Sequence, residues 1–308
     1  MKLIQLLLLI GTLSFYSCKE EIDIATPEFE VSTESKSYKV NEEVNFNFEG
    51  NPDFISFYSG EVGHDYFYKD NRIIDKGIVK LSFNTNVQYG TQAGMFSVMA
   101  STDFDGDYSD ISHVTAATWT DITNRFTLAT STAFTNSGEV DISDLVEDGK
   151  PLYIAYKLTV RDADLYGAWR VWRIQAYRLT TETVLGTTVL GDMNTSGFQM
   201  VDKDPLGPSK TRSSVTAATL SLYTAVVTNE NRNVDTETWI ISGAFNAGKF
   251  EAGPDRPIAI KGNVTGYTAN YKYTFTKPGT YKCYFVASNN NIYGAKEVVR
   301  EIEVNIEP

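Results

Sequence analysis

The chain has 308 residues, 42% of them hydrophobic and 21% charged, so it is long and apolar enough to bury substantial cores. Its formal charge of −12, from 27 basic and 39 acidic residues, argues against nucleic acid as a partner, because phosphate binding needs a basic surface and no Lys or Arg cluster is present. Aromatic residues reach 13% and no stretch sustains helical periodicity, which points to an all-β chain of short strands and polar turns.

Residues 1–17 have the layout of a secretory signal peptide, with Lys2 ahead of an apolar run from Leu3 to Leu13 and small or polar residues up to Ser17. That run is too short to cross a bilayer as a helix. The next residue, Cys18, resembles the acylated first residue of a bacterial lipoprotein. Cys18-Lys19-Glu20-Glu21 also resembles the surface-export signal of Bacteroidetes lipoproteins, a Lys and two acids directly after the lipidated cysteine. The resemblance implies a chain held in the outer membrane by its lipid anchor alone and exposed on the cell surface. An ordinary charged linker is the other reading of Lys19, Glu20 and Glu21. Residues 18–28, polar and acidic with Pro27, read as the tether. With Cys18 acylated, Cys283 is left as an unpaired, buried thiol.

Strands start directly after the tether. Phe29 and Val31 alternate with Glu28, Glu30 and Ser32, Tyr38 and Val40 follow, and Val44, Phe46 and Phe48 alternate with Asn45 and Asn47 before the Gly50-Asn51-Pro52 turn. Ile55 and Phe57 close the series. The strands that would complete their sheet come more than two hundred residues later. There Tyr273 and Phe275 alternate with Thr274 and Thr276, Pro278-Gly279 makes a corner, and Tyr281, Cys283, Phe285 and Ala287 alternate with Lys282, Tyr284 and Ser288. Ile302, Val304 and Ile306 supply a last strand.

Two strands cannot bury a face alone, and residues 29–68 with 266–308 together offer about the seven strands of a small sandwich. They resemble the two halves of a PKD or immunoglobulin-like domain, and Tyr281, two residues before Cys283, has tyrosine-corner spacing. The expectation is one split Ig/PKD-like sandwich whose first and last strands are neighbours in one sheet. A surface loop accepts a whole inserted domain at low entropic cost.

The insert, residues 69–265, has many strand-like runs, among them 96–100, 152–160, 168–179 and 239–242, which suggest a two-sheet jelly roll. Its runs Ser101-Thr102-Asp103-Phe104-Asp105-Gly106, Trp119-Thr120-Asp121-Ile122-Thr123 and Glu139-Val140-Asp141-Ile142-Ser143 resemble the jelly-roll modules of Bacteroidetes surface lipoproteins and adhesin-like proteins. Lys150-Pro151-Leu152-Tyr153-Ile154-Ala155-Tyr156 belongs to the same pattern. With Ser56-Phe57-Tyr58-Ser59-Gly60-Glu61 added, the chain resembles a family of Bacteroides surface lipoproteins that carry a domain of unknown function. What that resemblance implies is nutrient or glycan handling, or adhesion, at the cell surface.

Two constellations could carry chemistry. Asp103, Asp105, Asp107 and Asp110 crowd one loop, and alternate aspartates can converge oxygens on calcium, although the spacing is not that of an EF-hand. Solvated acids on an Asp-Gly turn are the leading reading of the same run. Trp169 and Trp172 are three apart in an expected strand and so face opposite ways. If Trp172, Ile174 and Ala176 point inward, Trp169, Arg173, Gln175 and Tyr177 line an outer face that could stack a sugar ring and satisfy its hydroxyls. The leading reading here is that both faces are buried.

No H-E-x-x-H, G-x-S-x-G or P-loop motif is present, and the two histidines, His64 and His113, lie in loops rich in acids and serines. The expectation is a non-catalytic surface lipoprotein that binds a glycan or another extracellular ligand. An adhesion or structural protein with a protein or matrix partner comes second, and a glycan hydrolase third.

Overall fold

A computed structural model describes residues 23–203, 212–223 and 232–308. The expected lipidation and export residues Cys18, Lys19, Glu20 and Glu21 lie outside the described residues. The described residues divide into two compact units, 23–72 with 253–308 and those within 73–252. Both are built from strands and short turns of helix, so the all-β expectation holds.

The first unit opens with β1 (Phe29–Thr33), β2 (Ser37–Lys39), β3 (Glu43–Gly50) and β4 (Phe54–Tyr58). After β5 (Arg72–Ile74) come β6 (Ile78–Gln88), β7 (Phe96–Ser101), β8 (Thr120–Asp121), β9 (Thr135–Asn136), β10 (Val140–Asp141) and β11 (Tyr153–Val160). The second unit continues with β12 (Val171–Thr183), β13 (Gly186–Asp192), β14 (Gln199–Lys203), β15 (Ser214–Val215), β16 (Leu220–Leu222) and β17 (Thr236–Ile241). β18 (Phe250–Gly253) pairs with β5, and β19 (Ile258–Lys261), β20 (Asn270–Thr274), β21 (Gly279–Asn291) and β22 (Gly294–Glu307) complete the first unit.

In the first unit a three-stranded sheet, β1-β3-β20, accompanies a five-stranded sheet, β19-β4-β21-β22-β2. Period-two alternation builds the core between them. Val44, Phe46 and Phe48 of β3 point inward while Asn45 and Asn47 do not, and Phe57 sits opposite Phe285 across the β4–β21 pair. The rings of Phe46, Phe57 and Phe285 lie 4.7–5.4 Å apart, within the range at which tilted aromatic pairs attract beyond their area burial. Cys283 is fully buried beside them, and burial drives its thiol pKa far up. The Tyr281 hydroxyl donates to the Lys277 carbonyl at 3.0 Å.

Two details of this unit differ from the sequence expectation. The first and last strands are not hydrogen-bonded neighbours, because β1 pairs with β3 in one sheet whereas β22 pairs with β21 and, in parallel, with β2 in the other. Bends at Glu34 and Lys36, flanking Ser35, whose hydroxyl donates to the Ser37 carbonyl, carry the chain from one sheet to the other. The unit also reaches further into the chain than 68 and 266, since β19 adds to β4 and Asp255 binds Arg72.

The second unit also holds two sheets, of seven and five strands. One follows the order β10-β6-β12-β16-β15, with β13 on β12 and β9 on β6, and the other runs β14-β17-β11-β7-β8. Their buried residues form one cluster that includes Leu81, Phe83, Phe96, Tyr156, Trp172, Ile174 and Tyr177. A smaller cluster, with Phe104, Tyr153 and Trp239, lies under the 104–119 loop.

β12 carries the feature that strand periodicity cannot foresee. Its register against β6 slips between Gln175 and Arg178, and Ala176 takes a left-handed φ of 52°. A bulge of this kind inserts one extra residue and flips the parity beyond it. Trp172 and Ile174 face inward before the bulge, Tyr177 and Leu179 after it, while Ala176 is exposed.

Candidate functional site

Each expected site residue has a definite place in the second unit. Trp169 precedes β12 and is only 7% exposed, its indole N–H donating to the Arg161 carbonyl at 2.9 Å. Tyr177 is 2% exposed because the bulge turns it into the core, which reverses the facing expected for it. Arg173 and Gln175 remain half-buried, and the Gln175 amide donates to the Thr219 hydroxyl at 2.7 Å. The two rings and the two polar side chains therefore do not share one open face.

The aspartates of the 103–110 loop are spent on the loop itself. Asp103 accepts from the Ser101 hydroxyl and the Thr118 N–H, Asp105 from the Asp107 N–H, Asp107 from the Ser109 N–H, and Asp110 caps the short helix Ile111–Ala116 through the Ser112 N–H. Among the described residues, no group of three or more His, Cys, Asp or Glu side chains converges as metal ligands would.

His113 lies between two of these acids. Its Nδ1 is 2.6 Å from Asp105 and its Nε2 is 3.5 Å from Asp107. The hydrogen bond to Asp105 raises the imidazole pKa, and the charges of Asp107, Asp105 and Asp110 act the same way. Asp105 is held below the usual carboxylate range, first by the Asp107 N–H and then by His113. By linkage, a group whose pKa rises on folding stabilises the loop fully below its unfolded pKa, near 6.5, and that contribution is lost as pH rises through the folded value. An NMR titration is therefore expected to place the His113 midpoint above that of a free histidine, and Asp105→Asn is expected to lower it. An unshifted midpoint would show that the imidazole–carboxylate contact does not persist in solution.

A cleft of roughly 360 Å³ opens beside this loop. Its floor is the end of β7, where Ala100 pairs with Thr120 of β8, and its far wall is the turn from Asp144 to Leu152. Three carboxylates and one ammonium line it. Asp103 is lowered chiefly by the Ser101 hydroxyl, Asp144 by the Arg125 guanidinium that grips it at 2.7 and 2.8 Å, and Glu147 by Lys150 at 2.5 Å. The Thr102 hydroxyl donates to Glu147 at 2.8 Å, tying the two walls together.

Ser101, Thr118 and Thr120 also line the cleft, so hydroxyls and fixed carboxylate acceptors dominate its surface. Such a surface accepts hydrogen bonds from ligand hydroxyls or ammonium groups. Sequence reasoning missed Thr102, Asp144, Glu147 and Lys150 as site residues. The signal there was the turn Asp148-Gly149-Lys150-Pro151, which does not reveal that Glu147 reaches Thr102.

A family model described as "Domain of unknown function (DUF5017)" matches residues 17–198, a stretch that contains every residue lining this cleft. No curated protein and no solved structure gives a significant match. Because the match covers more than half of the chain, the protein belongs to the DUF5017 family.

Proposed function

We propose that this is a non-catalytic lipoprotein of the outer membrane, anchored through Cys18 and exposed on the cell surface, whose 73–252 unit binds a hydroxyl-rich extracellular ligand, a glycan, in the 100–152 cleft. The observation that carries the reading is the lining of the cleft. Asp103, Asp144 and Glu147 are each fixed by side-chain donors of the protein itself, beside the hydroxyls of Ser101, Thr102, Thr118 and Thr120, so the cleft presents oriented acceptors and hydroxyls to a ligand. Two further features support the wider assignment. Tyr281 makes the backbone hydrogen bond of a tyrosine corner, in keeping with an Ig/PKD-like first unit, and the paired sheets of the second unit suit a jelly roll.

A glycan array probed with the mature chain is expected to give signal that Thr120→Trp, which fills the cleft from an exposed position on β8, removes. A blank array would remove the glycan reading. Signal that survives Thr120→Trp would keep the function and discard the cleft as its site.

A second reading, adhesion to a protein partner, draws on a different surface. In the first unit Phe67 is 82% exposed, and Tyr66 stacks on Tyr284 with ring centroids 4.7 Å apart. Exposed aromatic patches of this kind are enriched at protein interfaces.

A further inference from the structure

One end of the first unit gathers four segments. Strand register places them together: Ser288 of β21 lies opposite Phe54 of β4, Lys261 of β19 opposite Ile55, Phe29 of β1 opposite Gly50 of β3, and Asn270 of β20 opposite Asn47. The N-terminal residues 23–28, the 50–53 turn, the 262–269 loop and the 291–294 hairpin turn therefore leave the sandwich on the same side.

Side chains lock the four into one surface. The Asn289 amide donates to the Ala25 carbonyl at 3.0 Å and accepts from the Asp53 N–H at 3.1 Å. Lys296 pairs with Asp23 at 3.0 Å. The ammonium of Lys261, a residue only 7% exposed, donates to the Asn51 side chain and the Pro52 carbonyl.

The tips of two of its loops are apolar. Ile292 is 91% exposed, Val264 94%, Tyr267 66% and Tyr293 57%. Neither 262–269 nor 289–295 contains a charged residue, in a chain where 21% of residues are charged. Single exposed apolar side chains need no explanation, but four at the tips of two uncharged loops on one end do.

The position of this end in the chain says what covers it. Asp23 is five residues after Cys18, and five steps of extended chain span at most about 17 Å. We infer that this end is a membrane foot: Ile292, Tyr293, Val264 and Tyr267 rest in the headgroup layer of the bilayer that receives the acyl chains of Cys18. The inference rests on the lipoprotein reading above. Tyrosine suits the headgroup layer because its ring is apolar and its hydroxyl stays wet, and uncharged loops meet no repulsion from anionic lipids. The foot holds the first unit in one orientation on the lipid surface, where a lipid tether alone would leave it free to turn.

The test uses full-length protein purified from membranes and reconstituted into vesicles of phosphatidylethanolamine and phosphatidylglycerol. An environment-sensitive fluorophore is attached at Ile292→Cys, at Val264→Cys or, as a control, at Lys277→Cys in the turn between β20 and β21 at the opposite end of the sandwich. Cys283 is fully buried and escapes labelling in the folded protein. The expected result is blue-shifted emission at 292 and 264 that nitroxide-bearing lipids quench, with aqueous, unquenched emission at 277. Aqueous emission at 292 and 264 in protein whose N-terminal peptide carries its acyl chains by mass would overturn the foot and leave the lipoprotein reading standing. An N-terminal peptide without acyl chains would overturn both.

Discussion

Arg72→Ala is expected to remove about 3–5 kcal/mol of stability from the first unit, because it strands a carboxylate in the interior. Arg72 and Asp255 are joined by two hydrogen bonds of 2.7 Å, from Nε and Nη2, and their side chains are only 9% and 3% exposed. The guanidinium also lies 3.7 Å from the centre of the Tyr68 ring. With alanine at 72, Asp255 keeps the Asp65 N–H at 2.8 Å and loses the countercharge that balanced its desolvation. The pair zips two distant pieces of the chain together, alongside the Asp255 N–H to the Tyr68 carbonyl and the Arg256 N–H to the Gly63 carbonyl.

The same pair sets an acid limit. Asp255 is held below the usual carboxylate range first by its hydrogen bonds from Arg72. A depressed folded pKa contributes stability that is present above the unfolded value, near 3.9, and is lost as pH falls through the folded value. Urea unfolding of the Cys18→Ser chain, read by reaction of the Cys283 thiol, reports this unit specifically, since that thiol is buried in its core. The double variant Arg72→Met/Asp255→Leu is expected to be much less damaged than either single change, because it removes both charges at once. A loss below about 1 kcal/mol for Arg72→Ala, the range of an exposed pair, would show that the clasp is solvated.

How much of this was legible depends on the range over which a residue's effect is felt. The strands around Pro278-Gly279 were readable because alternation and a turn are local, and Tyr281, Cys283, Phe285 and Ala287 do share a side facing the core in β21. β19 was not readable: Ile258–Lys261 is a four-residue strand just after Pro257, too short for a period to show, and only its pairing with β4 makes it one. The facing of Tyr177 was lost for another reason. A period-two count carries across a bulge without noticing it, and nothing in Gln175-Ala176-Tyr177 announces that Ala176 takes a left-handed conformation. The cleft was the least legible part, since Thr102 and Glu147 meet only after β7, β8 and β11 have been laid side by side.

The second unit depends most on one ring. Tyr156→Ala is expected to cost about 3–5 kcal/mol, the usual range for emptying an aromatic site in a packed core. Tyr156 is fully buried at the middle of β11, between β7 and β17, and its ring lies 5.3 Å from Phe83, 5.9 Å from Phe96, 6.2 Å from Phe198 and 6.4 Å from Tyr177. Phe83 and Tyr177 come from β6 and β12, so this ring joins the two sheets. Among the described residues its hydroxyl has no hydrogen-bond partner, and burial pushes its pKa well above that of an ordinary tyrosine. An unpartnered buried hydroxyl carries its desolvation cost into the folded state. Tyr156→Phe keeps the ring and removes that cost, and is expected to leave stability unchanged or to raise it by up to about 1–3 kcal/mol. All four tryptophans, Trp119, Trp169, Trp172 and Trp239, belong to the second unit, so urea unfolding followed by their fluorescence reads this unit for both variants. A loss of more than about 1 kcal/mol on Tyr156→Phe would mean that the hydroxyl is satisfied by a bound water. The ring would then hold the sheets together through a polar contact as well as through packing.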